Sequence, residues 1–135
     1  MKLVVDANIL FAALIKNGVT RRLWLCPDVE LYAPSFLYAE ISKHERMLEE
    51  KYAGYPPLAK LAALLLKRVK FVSDSSFEPF LPAAASLLRD EKDWSYLAAA
   101  LALNASVWSN DAGFKKQRRV RVFSTAELAE DVGPL

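Results

Sequence analysis

Apolar residues follow two periods along this chain, and each change of period marks a change of element. Lys2 to Val5 is a short β-branched run that stops at Asp6. From Ile9 onward, Leu10, Ala13 and Leu14 recur at helical spacing, so a strand followed by a helix is predicted. Gly18 closes that helix, and Val19 to Leu25 predicts a second one ended by Pro27. Glu30 to Ala33 reads as the second strand. Pro34 and Ser35 offer the start of one long amphipathic helix reaching about Ala53, which Gly54, Pro56 and Pro57 break. Leu58 to Arg68 is apolar around much of its circumference and predicts a helix buried on more than one side or lying in a subunit contact. Lys70 to Val72 supplies a third strand, followed by a loop containing Ser73, Asp74, Ser75 and Pro79. Helices are expected over Pro82 to Leu88 and from Asp90 through Leu97 to Leu103, the latter the best buried. Ala105 to Trp108 reads as a fourth strand, residues near Asp111 to Lys116 as a short helix, and Val120 to Phe123 as a fifth strand before a last helix through Leu128. Such alternation predicts an α/β fold, a three-layer α/β/α sandwich with a central parallel sheet of about five strands. No repeat or internal linker divides it, so residues 1–135 read as a single domain.

Length and composition narrow the classes. A chain of 135 residues is long enough for one ordinary core. The longest apolar runs, Leu61 to Leu66 and Leu97 to Leu103, fall well short of the roughly 20 residues a spanning helix needs, so no membrane segment is expected. Asp6 interrupts the first apolar stretch too early for a secretory signal, which makes the cytoplasm the expected location. Cys26 is the single cysteine and reads as a small core residue. Lys and Arg number 18 against 16 for Asp and Glu, a balance too even to announce a nucleic-acid partner. The distribution says more: Lys115, Lys116, Arg118, Arg119 and Arg121 crowd one segment, and Arg21 with Arg22 another. Lys115, Lys116 and Arg118 are the candidates for holding a nucleic-acid backbone, against the alternative of a solvated charged face.

In an open parallel sheet, ligands sit beyond the carboxyl ends of the strands. Asp6 ends the first strand, Asp111 follows the fourth, Asp90 and Asp93 open the best-buried helix, and Glu40 lies near the start of the long one. Each has a structural account as well. Asp6, Asn8 and Asp111 could cap helices, Asp90 with Asp93 has the spacing of a capping pair, and Glu40 could be a solvated helix position. Joint placement changes the balance, because like charges about 5 Å apart at an effective dielectric near 20 repel by roughly 3 kcal/mol per pair. A cluster of that kind needs a cation. Carboxylates with one histidine and one cysteine in the whole chain suit Mg²⁺ or Mn²⁺ rather than zinc. Such an ion lowers the pKa of an attacking water and stabilises charge on a leaving oxygen. His44, read as a helix-surface residue, cannot form a histidine acid–base pair alone, and neither a Gly-x-Ser-x-Gly elbow nor a glycine-rich phosphate loop is present.

Val4-Val5-Asp6-Ala7-Asn8-Ile9-Leu10, Glu40-Ile41 after Pro34-Ser35, Asp90 to Ala100 (DEKDWSYLAAA), and Val107-Trp108-Ser109-Asn110-Asp111 together resemble the PIN-domain nucleases. The likeness runs from Lys2 to about Phe123, and the ordered set at these separations carries it. The resemblance implies a PIN-like sandwich, a Mg²⁺ or Mn²⁺ centre, and hydrolysis of single-stranded or structured RNA. It implies metal ligation for Asp6, Asp93 and Asp111, with Glu40 a further acid of the centre. Asn8 and Ser109 would hydrogen-bond and orient those ligands, while Asp90 stands behind them or simply caps its helix. Many small members of the family are VapC-type ribonucleases, toxins of toxin–antitoxin pairs, so RNA and an antitoxin protein are the partners it implies. Two other readings stand beside this one: a PIN-like module that binds RNA or protein without cutting, and a structure-specific DNA nuclease. Met47, Leu48, Tyr52 and Tyr55 with the helix from Leu58 suggest a homodimer or partner surface, on equal terms with a place in the core.

Overall fold

Five short strands are separated by helices: β1 (Lys2–Val5), β2 (Glu30–Pro34), β3 (Val69–Val72), β4 (Ser106–Trp108) and β5 (Val122–Phe123). The computed structural model describes residues 1–135 and joins these strands, all parallel, in the order β3-β2-β1-β4-β5. The chain walks outward from β1 to β3, then crosses back to the other side of β1 for β4 and β5. The central strand is therefore β1, and the direction in which the chain adds strands reverses at its seam with β4, where Leu3, Val4 and Val5 register with Ser106, Val107 and Trp108.

Alternate residues of β1 serve different layers. Leu3 and Val5 join a core with Leu10 and Leu14 of α1 (Ala7–Ile15), Leu23 and Trp24 of α2 (Val19–Trp24), and Leu37 of α3 (Leu37–Lys43). Leu48 of α4 (Glu45–Lys51), Leu61 and Leu65 of α5 (Leu58–Leu66), and Leu128 of α9 (Thr125–Val132) complete that layer. Val4 faces a second core with Phe77 of α6 (Asp74–Phe77), Ala84 of α7 (Leu81–Leu87) and Leu97 to Ala100 of α8 (Glu91–Leu103). A sheet buried on both faces is the α/β/α sandwich that the alternation predicts. No helix is long and apolar enough to cross a membrane.

Three local departures have physical causes. The expected helix from Ser35 to Ala53 is two, α3 and α4, parted at His44, whose N–H closes α3 on the carbonyls of Glu40 and Ile41 at 3.1 and 3.2 Å. Leu37 and Leu48, on either side of the break, are both fully buried in the same core. The expected loop around Ser73 to Pro79 is helical, as α6 and a 3₁₀ turn over Glu78–Phe80, because Phe77 anchors it in the second core. The fifth strand shortens to two residues, and the segment after β4 is a 3₁₀ turn over Ala112–Lys116. Two arginines are committed to carbonyls: Arg21 to Ala13 and Leu14 at 2.8 and 3.1 Å, and Arg68 to Trp24, Cys26 and Val29 at 3.3, 2.6 and 3.1 Å.

Candidate metal centre

The pairing of Val5 with Trp108 places the next residues of both strands, Asp6 and Ser109, side by side at the carboxyl ends of β1 and β4. This is the switch point of the sheet, where open α/β sheets form their ligand crevices. Asp6 is only 6% exposed and divides its oxygens between two tasks. Oδ1 accepts the Ile9 N–H at 3.1 Å as the N-cap of α1, and Oδ2 accepts a hydrogen bond from the Ser109 hydroxyl. The Ser109 oxygen in turn accepts the Asp111 N–H at 3.0 Å, so one buried hydroxyl ties the two strand ends to the turn that follows. Asn110 points the other way, bonding the N–H and hydroxyl of Thr125 at 2.8 and 3.1 Å, which holds that turn against α9.

Asp111 accepts the Gly113 N–H through Oδ1 at 2.8 Å and caps the 3₁₀ turn. A Cβ at Gly113 would crowd Asp111 Oδ1 at 3.1 Å and touch Asp93 Oδ2 at 3.8 Å. The missing methyl leaves an open space edged by two carboxylates. Asp93 comes from the first turn of α8, and Glu40 from α3 across the cleft. Asp6, Asn8, Glu40, Asp93 and Asp111 thus line one cleft of about 520 Å³.

The electrostatics show acids without an adequate counter-charge. Burial, with Asp111 adding to it, raises the Asp6 pKa against the opposing hydrogen bonds from Ser109 and Ile9. Burial and then the charges of Asp111, Asp90 and Asp6 push Asp93 up to about 6. The Tyr96 hydroxyl is likewise raised, first by burial and then by Asp6, so it stays protonated among the acids. None of the salt bridges in the chain reaches Asp6, Asp93 or Asp111; Glu40 has only His44, 3.7 Å away. No three of the acidic, histidine or cysteine side chains close into a ready-made cage. Hard oxygen donors around an open space fit a Mg²⁺- or Mn²⁺-type ion, which keeps several of its waters, better than an ion that demands a full set of protein ligands.

The other residues singled out by the sequence lie apart from the cleft. Asp90 caps α8 through Oδ1, 3.1 Å from the Lys92 N–H, and does not face the cleft. Lys115 pairs with Glu127, whose pKa this hydrogen bond, helped by Ser124, lowers to about 2. Lys116 and Arg118 are exposed and outside the cleft lining. The cations on the cleft are Lys43, Lys92 and, when protonated, His44, none of which the sequence pattern nominated. His44 is not a simple surface residue: it lies against Phe11, with ring centroids 5.1 Å apart, and Nδ1 is 3.0 Å from the Glu40 carbonyl oxygen. Its spacing of four from Glu40 was the one signal in the sequence.

Residues 4–129 match the family described as PIN domain. This chain belongs to the PIN domain family. No curated protein gives a significant match to the sequence. Among solved structures, this PIN domain is similar to a chain of the crystal structure of VapBC2 from Rickettsia felis bound to a DNA fragment from their promoter. The two superpose with a TM-score of 0.68 at 17% identity, covering 92% of this chain and 98% of that one. At that identity the likeness is one of fold.

Proposed function

We propose that this PIN domain is a divalent-metal-dependent ribonuclease whose centre is formed by Asp6, Glu40, Asp93 and Asp111. The observation that carries the reading is the meeting of four carboxylates from four separate segments on one cleft at the sheet's switch point, with no salt bridge to three of them. When bound, Mg²⁺ or Mn²⁺ would supply an activated water and offset the charge of the phosphodiester. Asp6, Glu40, Asp93 and Asp111 would hold it. Ser109 fixes the Asp6 carboxylate and the Asp111 backbone, and Asn8 lines the same cleft. Fold likeness to a VapBC2 chain and family membership support extending the proposal to the toxin of a toxin–antitoxin pair acting in the cytoplasm, with an antitoxin as protein partner.

Matched RNA and DNA oligonucleotides incubated with Mn²⁺ test this directly, with Asp6→Asn as control and excess EDTA as the metal-free arm. RNA should be cut by wild type alone, and only with metal. Cleavage undiminished in EDTA would overturn the metal centre, and preference for DNA would reassign the substrate.

A further inference from the structure

Phe36, Glu40 and His44 stand four residues apart along α3 and its two flanking positions, and all three line the acidic cleft. Steps of four return to one helix face, each rising about 6 Å. An acid of the centre is therefore bracketed by one ring on each side.

Both rings are backed and both keep surface free. His44 leans on Phe11, which is 7% exposed, and Phe36 meets Tyr96, 5% exposed, edge-on at 5.2 Å. The backing partners are core residues, whereas the His44 side chain is 37% exposed and Phe36 is half-buried. The bond between His44 Nδ1 and the Glu40 carbonyl fixes the imidazole plane relative to the acid. Lys43 and Lys92 also line the cleft. A site that gripped phosphate alone would need cations and N–H donors, and rings would add nothing. Aromatic faces serve bases, since every base has a π face to stack, and stacking of this kind requires a base free of its own duplex.

We propose that Phe36 and His44 are the base-stacking residues of the centre: with the scissile phosphate opposite Glu40, the base on one side rests on Phe36 and the base on the other on His44. The substrate is then a single strand with unpaired bases on both sides of the cut. This rests on the nuclease reading and adds to it the residues that select the strand.

Two measurements separate the outcomes. Fluorescence anisotropy in EDTA compares binding of a single-stranded RNA with a fully abasic oligomer of the same length. Wild type should prefer the RNA, and Phe36→Ala and His44→Ala should each erode that preference on the order of 5- to 150-fold. Phe36→Trp and His44→Phe should restore it. Phe36→Leu replaces the alanine variant if melting shows that Phe36→Ala is unfolded. In Mn²⁺, the same variants should raise KM more than they lower kcat. A single abasic residue beside the cut should reproduce the loss of one variant and cause no further loss in it. Equal binding of RNA and abasic oligomer by wild type, or abasic and variant losses that multiply, would overturn the proposal. Should wild type cut no RNA at all, the nuclease reading falls, and the anisotropy arm, which needs no cleavage, still decides whether the rings hold bases.

Discussion

Asp6 shows how one side chain meets two demands that the sequence presents as rivals. Its Oδ1 caps α1 and its Oδ2 holds Ser109, so capping and membership of the acid cluster coexist in one carboxylate. Asp6→Asn keeps a capping oxygen while removing a charge that burial and Asp111 oppose. The new amide nitrogen no longer accepts from Ser109, so the relief of that charge is set against one lost hydrogen bond: the metal-free variant should melt close to wild type, yet cut nothing. Asp6→Ala should cost about 1 kcal/mol for the cap and about 1–3 more for the buried Ser109 hydroxyl left without its acceptor, measured by urea unfolding. Mn²⁺ at a hundredfold excess over its dissociation constant should add about 2.7 kcal/mol to wild type and much less to Asp6→Asn. Equal metal shifts in the two proteins would remove Asp6 from the ligand set. Gly113→Ala probes the same space from the other side, since its methyl would press on Asp111 Oδ1 at 3.1 Å beside Asp93. Calorimetric titration should show weaker Mn²⁺ binding with the metal-free melting temperature nearly unchanged. The positions of the acids at strand ends and helix starts were readable in the sequence; the role of Gly113 was not, because its neighbour Asp93 is twenty residues away along the chain.

At the scale of elements, periodicity identified every strand and most helices but missed α6, read as a loop, and the break between α3 and α4. Nothing in the run from Ser35 to Ala53 announces the break at His44, because its apolar positions keep helical spacing across it and Leu37 and Leu48, eleven residues apart, share one face either way. The 3₁₀ turn that carries Lys115 is fastened to α9 by the Lys115–Glu127 pair, with Ser124 and Glu127 also forming a capping box. Because the Glu127 pKa is lowered to about 2, its contribution is present above the ordinary glutamate pKa and is lost as pH falls toward 2. The melting difference between wild type and Glu127→Gln should be small, fade with added salt, and vanish at the acid end of that window. Lys115 is thereby less free to hold phosphate than Lys43, which makes no salt bridge, or Lys92, whose pair with Asp90 is looser at 3.7 Å and largely exposed. Neutralising Lys43 and Lys92 should reduce the salt slope of RNA binding by roughly 0.7 for each phosphate that is no longer held, and by more than neutralising Lys115, Lys116 and Arg118. A larger drop from the second set would route the backbone over the 3₁₀ turn instead.

Across the whole molecule, the parallel sheet with helices on both faces was legible because strand and helix periods alternate without interruption. The order β3-β2-β1-β4-β5 was not, since a pattern local to each strand carries no record of its neighbours. The apolar excess around α4 and α5 turns out to be mostly interior: Leu48, Leu61 and Leu65 are buried, leaving Tyr55 at 90% and Leu64 at 46% exposed. A homodimer through this surface would use those two side chains, and sedimentation at tens of micromolar is the test. A dimer that dissociates in Tyr55→Ser with Leu64→Ser would support that surface, and a wild-type monomer would remove it. The seam between β1 and β4 also sets an order of manufacture. The central strand is made before the partner that begins at Ser106, so Asp6 and Ser109 meet across 103 residues of sequence. A nascent chain that has not reached β4 holds only part of the acid set and none of the hydroxyl that aligns it, so the proposed ribonuclease centre would stay incomplete while the chain is still attached to the ribosome.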